Sequence, residues 1–112
     1  MVLTRSFRET VQRQVRDDPA FRTALVEEAA RNILEGDIEA ALGQLRDVVN
    51  ATIGFDALAA DTGIPKTSLM RMLSDRGNPR AANLAVILRV IGQKVGVRIS
   101  IHAEAADVLA GH

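Results

Sequence analysis

The chain contains no cysteine. Disulfides, thiolate nucleophiles and cysteine-bound zinc are thereby excluded, and a reducing cytoplasm is the expected compartment. Tryptophan and tyrosine are absent as well, and Phe7, Phe21 and Phe55 are the only aromatic rings. Binding of single strands by base stacking needs aromatic platforms and is poorly served by so few. Histidine is confined to His102 and His112, with no second ligand at metal spacing, so no metal site is expected. No glycine-rich phosphate cradle is present, and Glu35-Gly36-Asp37 reads as a helix stop and a helix cap rather than a carboxylate pair. The sequence therefore gives no reason to expect an enzyme or a cofactor. No run approaches the ~18 apolar residues of a membrane span. The opening residues, MVLTRSFRETVQRQ, have neither the apolar core nor the small-residue cleavage site of a signal peptide. No membrane partner is expected.

What is present is a chain of 112 residues, the size of one domain, long enough to build a core without staples. Its formal net charge is zero, from 14 basic and 14 acidic residues. The balance conceals a segregation. Residues 1–63 hold 7 basic and 11 acidic side chains, whereas residues 64–98 hold 7 basic side chains and a single acid, Asp75. Glu104 and Asp107 return the tail to a negative charge. A basic segment of this kind points to a basic face and an anionic partner, provided that folding does not mix the segments.

Helical periodicity dominates the pattern. Phe7, Val11 and Val15 form one narrow apolar stripe. Asp17 or Asp18, followed by Pro19, starts a second helix, whose stripe is Phe21, Leu25, Ala29 and Ile33 with Val26, Ala30 and Leu34 beside it. Gly36 stops that helix and Asp37 caps a third, which carries Ile38, Ala41, Leu42, Leu45, Val48, Val49 and Ile53 and ends at Gly54. Two short helices are expected, at about 55–61 and from 65 or 66 to 74. DRGNP is turn chemistry, and a longer helix follows over about 80–91, with Leu84, Ile87, Leu88 and Ile91 inward and Gly92 as its stop. The period then changes from 3.6 to 2. Val95, Val97, Ile99 and Ile101 alternate with Gly96, Arg98, Ser100 and His102, which predicts a strand. The expected fold is all-α, a bundle of about five to six helices with a short C-terminal β-strand. Within a single domain of 1–112, this gives an N-terminal helical extension at 1–36, a core at 37–92, the strand at 93–102 and a flexible tail at 103–112. A lone strand leaves unpaired backbone groups, so pairing with a second copy across a two-fold axis, through residues 95–102, is an expected route to a homodimer. The other readings are a strand lying on the helices and a continuation of the preceding helix.

Residues 55–74 carry the spacing with chemical content. Ala59 is small at mid-helix, where a second helix can cross closely. Gly63, four residues on, sits at the turn, where a positive φ costs little only for glycine. Leu69 and Met72 face inward, and Leu58 and Leu73 complete a small core. This is the spacing of a helix-turn-helix, whose second helix enters the major groove with its first turn at base edges. The outer face then presents Lys66, Thr67, Met70 and Arg71 to bases: Arg71 for a bidentate contact to guanine, Thr67 for a hydrogen bond, Met70 for a thymine methyl or as cover for a neighbouring side chain. Ser68, Ser74, Arg76, Arg80 and Asn83 are placed for phosphates, which fix position without reading sequence. The backbone N–H groups at the start of the helix after Pro79 are a further phosphate site.

The stretch LAADTGIPKTSLMRMLSDRGNPRAANLAVILRVIG resembles the lambda-repressor-like helix-turn-helix domain of the xenobiotic-response-element type, and within it the addiction-module antidote proteins, the antitoxin half of toxin–antitoxin pairs. The resemblance is carried by Leu58-Ala59, Thr62-Gly63-Ile64, Ser68-Leu69, Leu73-Ser74, Gly77-Asn78-Pro79 and Ile91-Gly92, and covers about residues 38–92. It implies a bundle of about five helices, a homodimer and binding to double-stranded operator DNA, commonly in the protein's own promoter, together with a small toxin protein as partner. The chain departs from the family pattern at three places. Phe55 stands where a phosphate-binding glutamine is common, Met70 where an aromatic is common, and Pro65 where a serine-like cap is usual. Two functions remain open at this point: a sequence-specific dimeric repressor on a pseudo-palindromic operator, and a protein-binding antitoxin or scaffold module with little or no DNA binding.

Overall fold

In the computed structural model, residues 4–107 are described. They form six α-helices: α1 (Arg5–Asp17), α2 (Pro19–Glu35), α3 (Ile38–Ala51), α4 (Gly54–Thr62), α5 (Lys66–Met72) and α6 (Ala81–Val95). The helix starts in the first half are set by side chains that bond otherwise unsatisfied N–H groups. Thr4 Oγ1 accepts from the Phe7 N–H at 3.1 Å. Asp18 Oδ1 accepts from the Ala20 and Phe21 N–H groups at 3.0 and 3.2 Å, with Pro19 in the first turn. Asp37 Oδ1 accepts from the Ala40 N–H at 3.3 Å. Gly36, at φ 87°, ends α2 in a left-handed turn. The Asp37 N–H then donates to the Asn32 carbonyl at 2.8 Å, so Asp37 closes one helix and opens the next.

α1, α2 and α3 pack on one another, α4 packs on α5 and α6, and α3 joins the two groups through α4. One core runs through both. It includes Val15, Val26, Leu42, Leu45, Val48 and Val49 from the first group and Leu58, Leu69, Leu73, Ile87 and Ile91 from the second, all fully buried or nearly so. The expected stripes are the buried faces, with exceptions: Leu34 is 70% exposed, and α3 ends at Ala51, so Gly54, expected to end it, opens α4 instead. The α1 stripe tapers toward its start: Val15 is buried, Val11 is half-buried and Phe7 is 52% exposed. On α6, Val90 joins the buried face and Leu88 lies at its margin.

The C-terminal expectations need correction. Gly92 does not stop α6, which continues to Val95 and ends at Gly96, at φ 75°. The Val97 N–H folds back to the Gly92 carbonyl at 2.9 Å. A Cβ on residue 92 would stand 2.7 Å from the Val97 carbonyl oxygen, so this glycine allows a close approach rather than a stop. No strand is found among the described residues, and the expected strand at 93–102 is not one. The alternation behind that expectation is present, since Val97 and Ile99 are half-buried against the core while Arg98 and Ser100 are exposed. What is missing is a ladder partner. Among the described residues, 98–106 make no backbone–backbone hydrogen bond. Of the tail expected at 103–112, residues 103–107 are exposed without regular structure, and 108–112 lie outside the described residues. No helix among the described residues is long and apolar enough to cross a membrane.

Candidate nucleic-acid interface

The joint between α4 and α5 is three residues long: Gly63, Ile64 and Pro65. Gly63 has φ 76° and donates its N–H to the Ala59 carbonyl at 3.0 Å. Thr62 Oγ1 ties the turn from inside, donating to the Leu58 carbonyl at 2.7 Å and accepting from the Ile64 N–H at 3.2 Å. Pro65 precedes α5 with ψ 142°, and no side chain caps the helix start. Leu58, Leu69 and Leu73 are fully buried between the helices. Ala59 and Met72, expected inside, are half-buried at the edge of that contact.

α5 turns its other side outward. Lys66, Thr67, Met70 and Arg71 are all exposed, and their spacing places them on one face. Met70 is 49% exposed, a large apolar side chain on a wet surface. Lys66 is not free: its Nζ stands 3.0 Å from Asp56 Oδ1 on α4. Ser68 is half-buried. Ser74 is occupied locally, its hydroxyl donating to the Arg71 carbonyl at 2.7 Å, so it seals the end of α5 instead of offering a donor to a ligand.

Arg71, Arg76, Arg80 and Asn83, assigned to separate contacts in the sequence, line one open cleft together with Met72 and the Gly77-Asn78-Pro79 turn, with a volume of about 340 Å³. No acid lines it, and none of its three arginines makes an ion pair among the described residues. The cleft adjoins the start of α6, where Arg80 occupies the cap position with extended backbone and no side chain bonds the first N–H groups. The turn fits tightly behind it. A Cβ on residue 77 would lie 1.9 Å from the Met72 carbonyl oxygen. The cleft is thus an electropositive concavity with guanidinium, amide and backbone donors, suited to oxyanions spaced along a chain. Lys66, Thr67 and Met70 are outside it, on the adjoining face of α5.

Folding preserves the segregation of charge only in part. Lys66 and Lys94 pair with Asp56 and Asp61 of α4, while Arg71, Arg76, Arg80, Arg89 and Arg98 pair with no acid among the described residues. Asp75, the one acid of that segment, is drawn away from the cleft toward the N-terminal helices. Its Oδ1 lies 3.1 Å from Arg46 Nη2 of α3 and 3.6 Å from Arg8 Nη2 of α1. Arg46 also donates from Nη1 to the Leu73 carbonyl at 3.0 Å. Sequence reasoning missed Arg46 and Arg8. Both sit on polar helix faces, and nothing local distinguishes them from solvated arginines.

One further charged group is buried nearby. Asp47 is 4% exposed and accepts from Gln12 Nε2 at 3.0 Å. Burial pushes its carboxyl above the ordinary value, against the opposing pull of the Gln12 hydrogen bond and the Arg8 charge.

The chain matches no family model, no curated protein and no solved structure.

Proposed function

We propose that the protein is a sequence-specific DNA-binding repressor of the lambda-repressor-like helix-turn-helix kind, the antitoxin-type component of a toxin–antitoxin module. The observation that carries this reading is the convergence of Arg71, Arg76, Arg80 and Asn83 on one acid-free cleft beside the exposed face of α5. In this reading α5 enters the major groove. Arg71 reads a guanine, Thr67 and Lys66 meet base edges in the first turn, and Met70 packs on a thymine methyl. Lys66 exchanges Asp56 for DNA on binding. Arg76, Arg80, Asn83 and the open start of α6 hold phosphates. Ser68 and Ser74 are left with lesser parts, given the burial of the first and the internal bond of the second.

A homodimer places two α5 helices in successive major grooves, ~34–36 Å apart, on a pseudo-palindromic operator. The unpaired backbone of 98–102 supports self-pairing of this segment as the contact, each copy supplying the ladder the other lacks. Bound there, the dimer blocks polymerase. The same segment, with Ile101 75% exposed, supports the second reading, a module that adds a strand to a toxin and binds little DNA.

Fluorescence anisotropy on the DNA upstream of the protein's own gene, against a scrambled sequence at two salt concentrations, separates the two. Tight, sequence-dependent and salt-sensitive binding is the expected result. Weak and equal binding to both DNAs defeats the repressor reading and leaves the protein-binding one.

A further inference from the structure

α5 is seven residues long, too short to hold its own orientation by helix hydrogen bonds alone. Its start has no side-chain cap. Its end is held from another part of the chain. Arg46, near the middle of α3, donates Nη1 to the carbonyl of Leu73, the residue that closes α5, at 3.0 Å. Its Nη2 reaches Asp75, two residues on, at 3.1 Å. One planar guanidinium therefore spans the end of α5 and the turn that leads to the arginine cleft, a geometry lysine cannot reproduce. Asp75 is gripped a second time by Arg8 of α1, at 3.6 Å.

The Arg46 side chain is only 15% exposed, and its Nε is buried with no hydrogen-bond partner. A charge held with one donor unsatisfied is a poor way to stabilise a fold, since an apolar side chain of similar length would fill the space without that penalty. What the fork supplies instead is direction: it fixes where the last turn of α5 and the Asp75 turn stand relative to α3.

We infer that Arg46 is a positioning residue for DNA recognition. From α3, with Arg8 of α1 behind it, Arg46 sets the orientation of α5 and the entry to the Arg71–Arg76–Arg80 cleft. The inference rests on the repressor reading above. Through it the N-terminal helices brace the face that reads DNA.

The test compares wild type with Arg46→Met, Arg46→Lys and Asp75→Asn on the protein's upstream DNA and on scrambled DNA, with the active fraction fixed by stoichiometric titration. Amide exchange over residues 73–76 is followed in the same proteins. Arg46→Met is expected to lower the preference for the upstream DNA about tenfold, because each displaced base contact is worth roughly that or more. The slope of log affinity against log salt should not change, since no phosphate contact is removed. Amides 73–76 should exchange faster. Arg46→Lys should recover part of the preference through one of the two bonds, and Asp75→Asn should lose less than Arg46→Met because the Leu73 bond remains. Should Arg46→Met fail to fold, the graded losses in the other two variants carry the same comparison. An unchanged preference in Arg46→Met, or an equal loss on both DNAs matched by a lower active fraction, overturns the inference. A wild type without preference overturns the repressor reading, and amide exchange then shows separately whether Arg46 holds α5.

Discussion

α1, α2 and α3 each begin on a side chain that bonds their free N–H groups: Thr4, Asp18 and Asp37. α4, α5 and α6 begin on Ile53, Pro65 and Arg80, and no side chain bonds theirs. The same division separates the charges, with the acidic excess in the first half and the acid-free arginine cleft in the second. A side-chain cap meets one or two of the free N–H groups at a helix start, whereas an uncapped start keeps all of them, with a partial positive charge, for whatever arrives. The first half is thus the more closed of the two. The second half leaves donors exposed, and on the proposed reading an anionic duplex completes them.

The comparison can be broken most severely at Gly77, on which the shape of the open half depends. Gly77→Ala would press a methyl group into the Met72 carbonyl, a backbone atom that cannot swing aside. A stability loss of about 3 kcal/mol or more is expected in urea denaturation, with loss of DNA binding. Arg71→Ala tests the exposed face without touching the core. It should cost roughly 1–3 kcal/mol of operator affinity and relax the preference at one base pair, read by anisotropy on single-base operator variants. An Arg71→Ala protein that binds every site as well as wild type would show that the reading face lies elsewhere.

Arg80→Asp sharpens the contrast by giving α6 the kind of start that α2 and α3 possess. Thermal melts should show a gain of roughly 1 kcal/mol from the new cap, while DNA binding weakens on every sequence and its salt slope falls by about one. Stability and binding should therefore move in opposite directions from a single substitution. The smallest effect is expected at Asp47, the buried acid of the closed half. Its carboxyl holds its proton more tightly folded than unfolded, so the stability it contributes is fullest below the ordinary value of 3.8 and is lost as pH rises through the elevated folded value. Asp47→Asn, which keeps an acceptor for Gln12, should be slightly more stable than wild type at neutral pH. It should also remove that decline, as melting temperatures across the acid range would show.

The helical plan was readable because its punctuation is local. Asp18-Pro19 and Gly36-Asp37 act within a few residues of themselves, and the apolar stripes they bound are the buried ones apart from Leu34. The two misreadings after Ile91 came from local rules used where distant contacts decide. Gly92 carries the signature of a stop, yet it lies inside α6 because Val97 returns against it. The period-2 run after it is a sound reading of which side chains face the core, but a strand requires a partner that the chain does not contain among its described residues. The candidate site divides in the same way. The exposed side of α5 follows from counting residues around a helix. The gathering of Arg71, Arg76 and Arg80 with Asn83 depends on how the Gly77 turn folds back. The grip of Arg46 on Leu73, a contact 27 residues apart in sequence, has no local signal at all.

The Gly36-Asp37 joint has a bearing on how such a chain can change over generations. Asp37 bonds backward to Asn32 and forward to Ala40, so the angle between α2 and α3 is set with no spare residue. An insertion there would break the paired bonds of Asp37 and loosen the angle at which α3 brings Arg46 to the end of α5. Length variation is best absorbed beyond His102, where residues 103–107 are exposed and without regular structure.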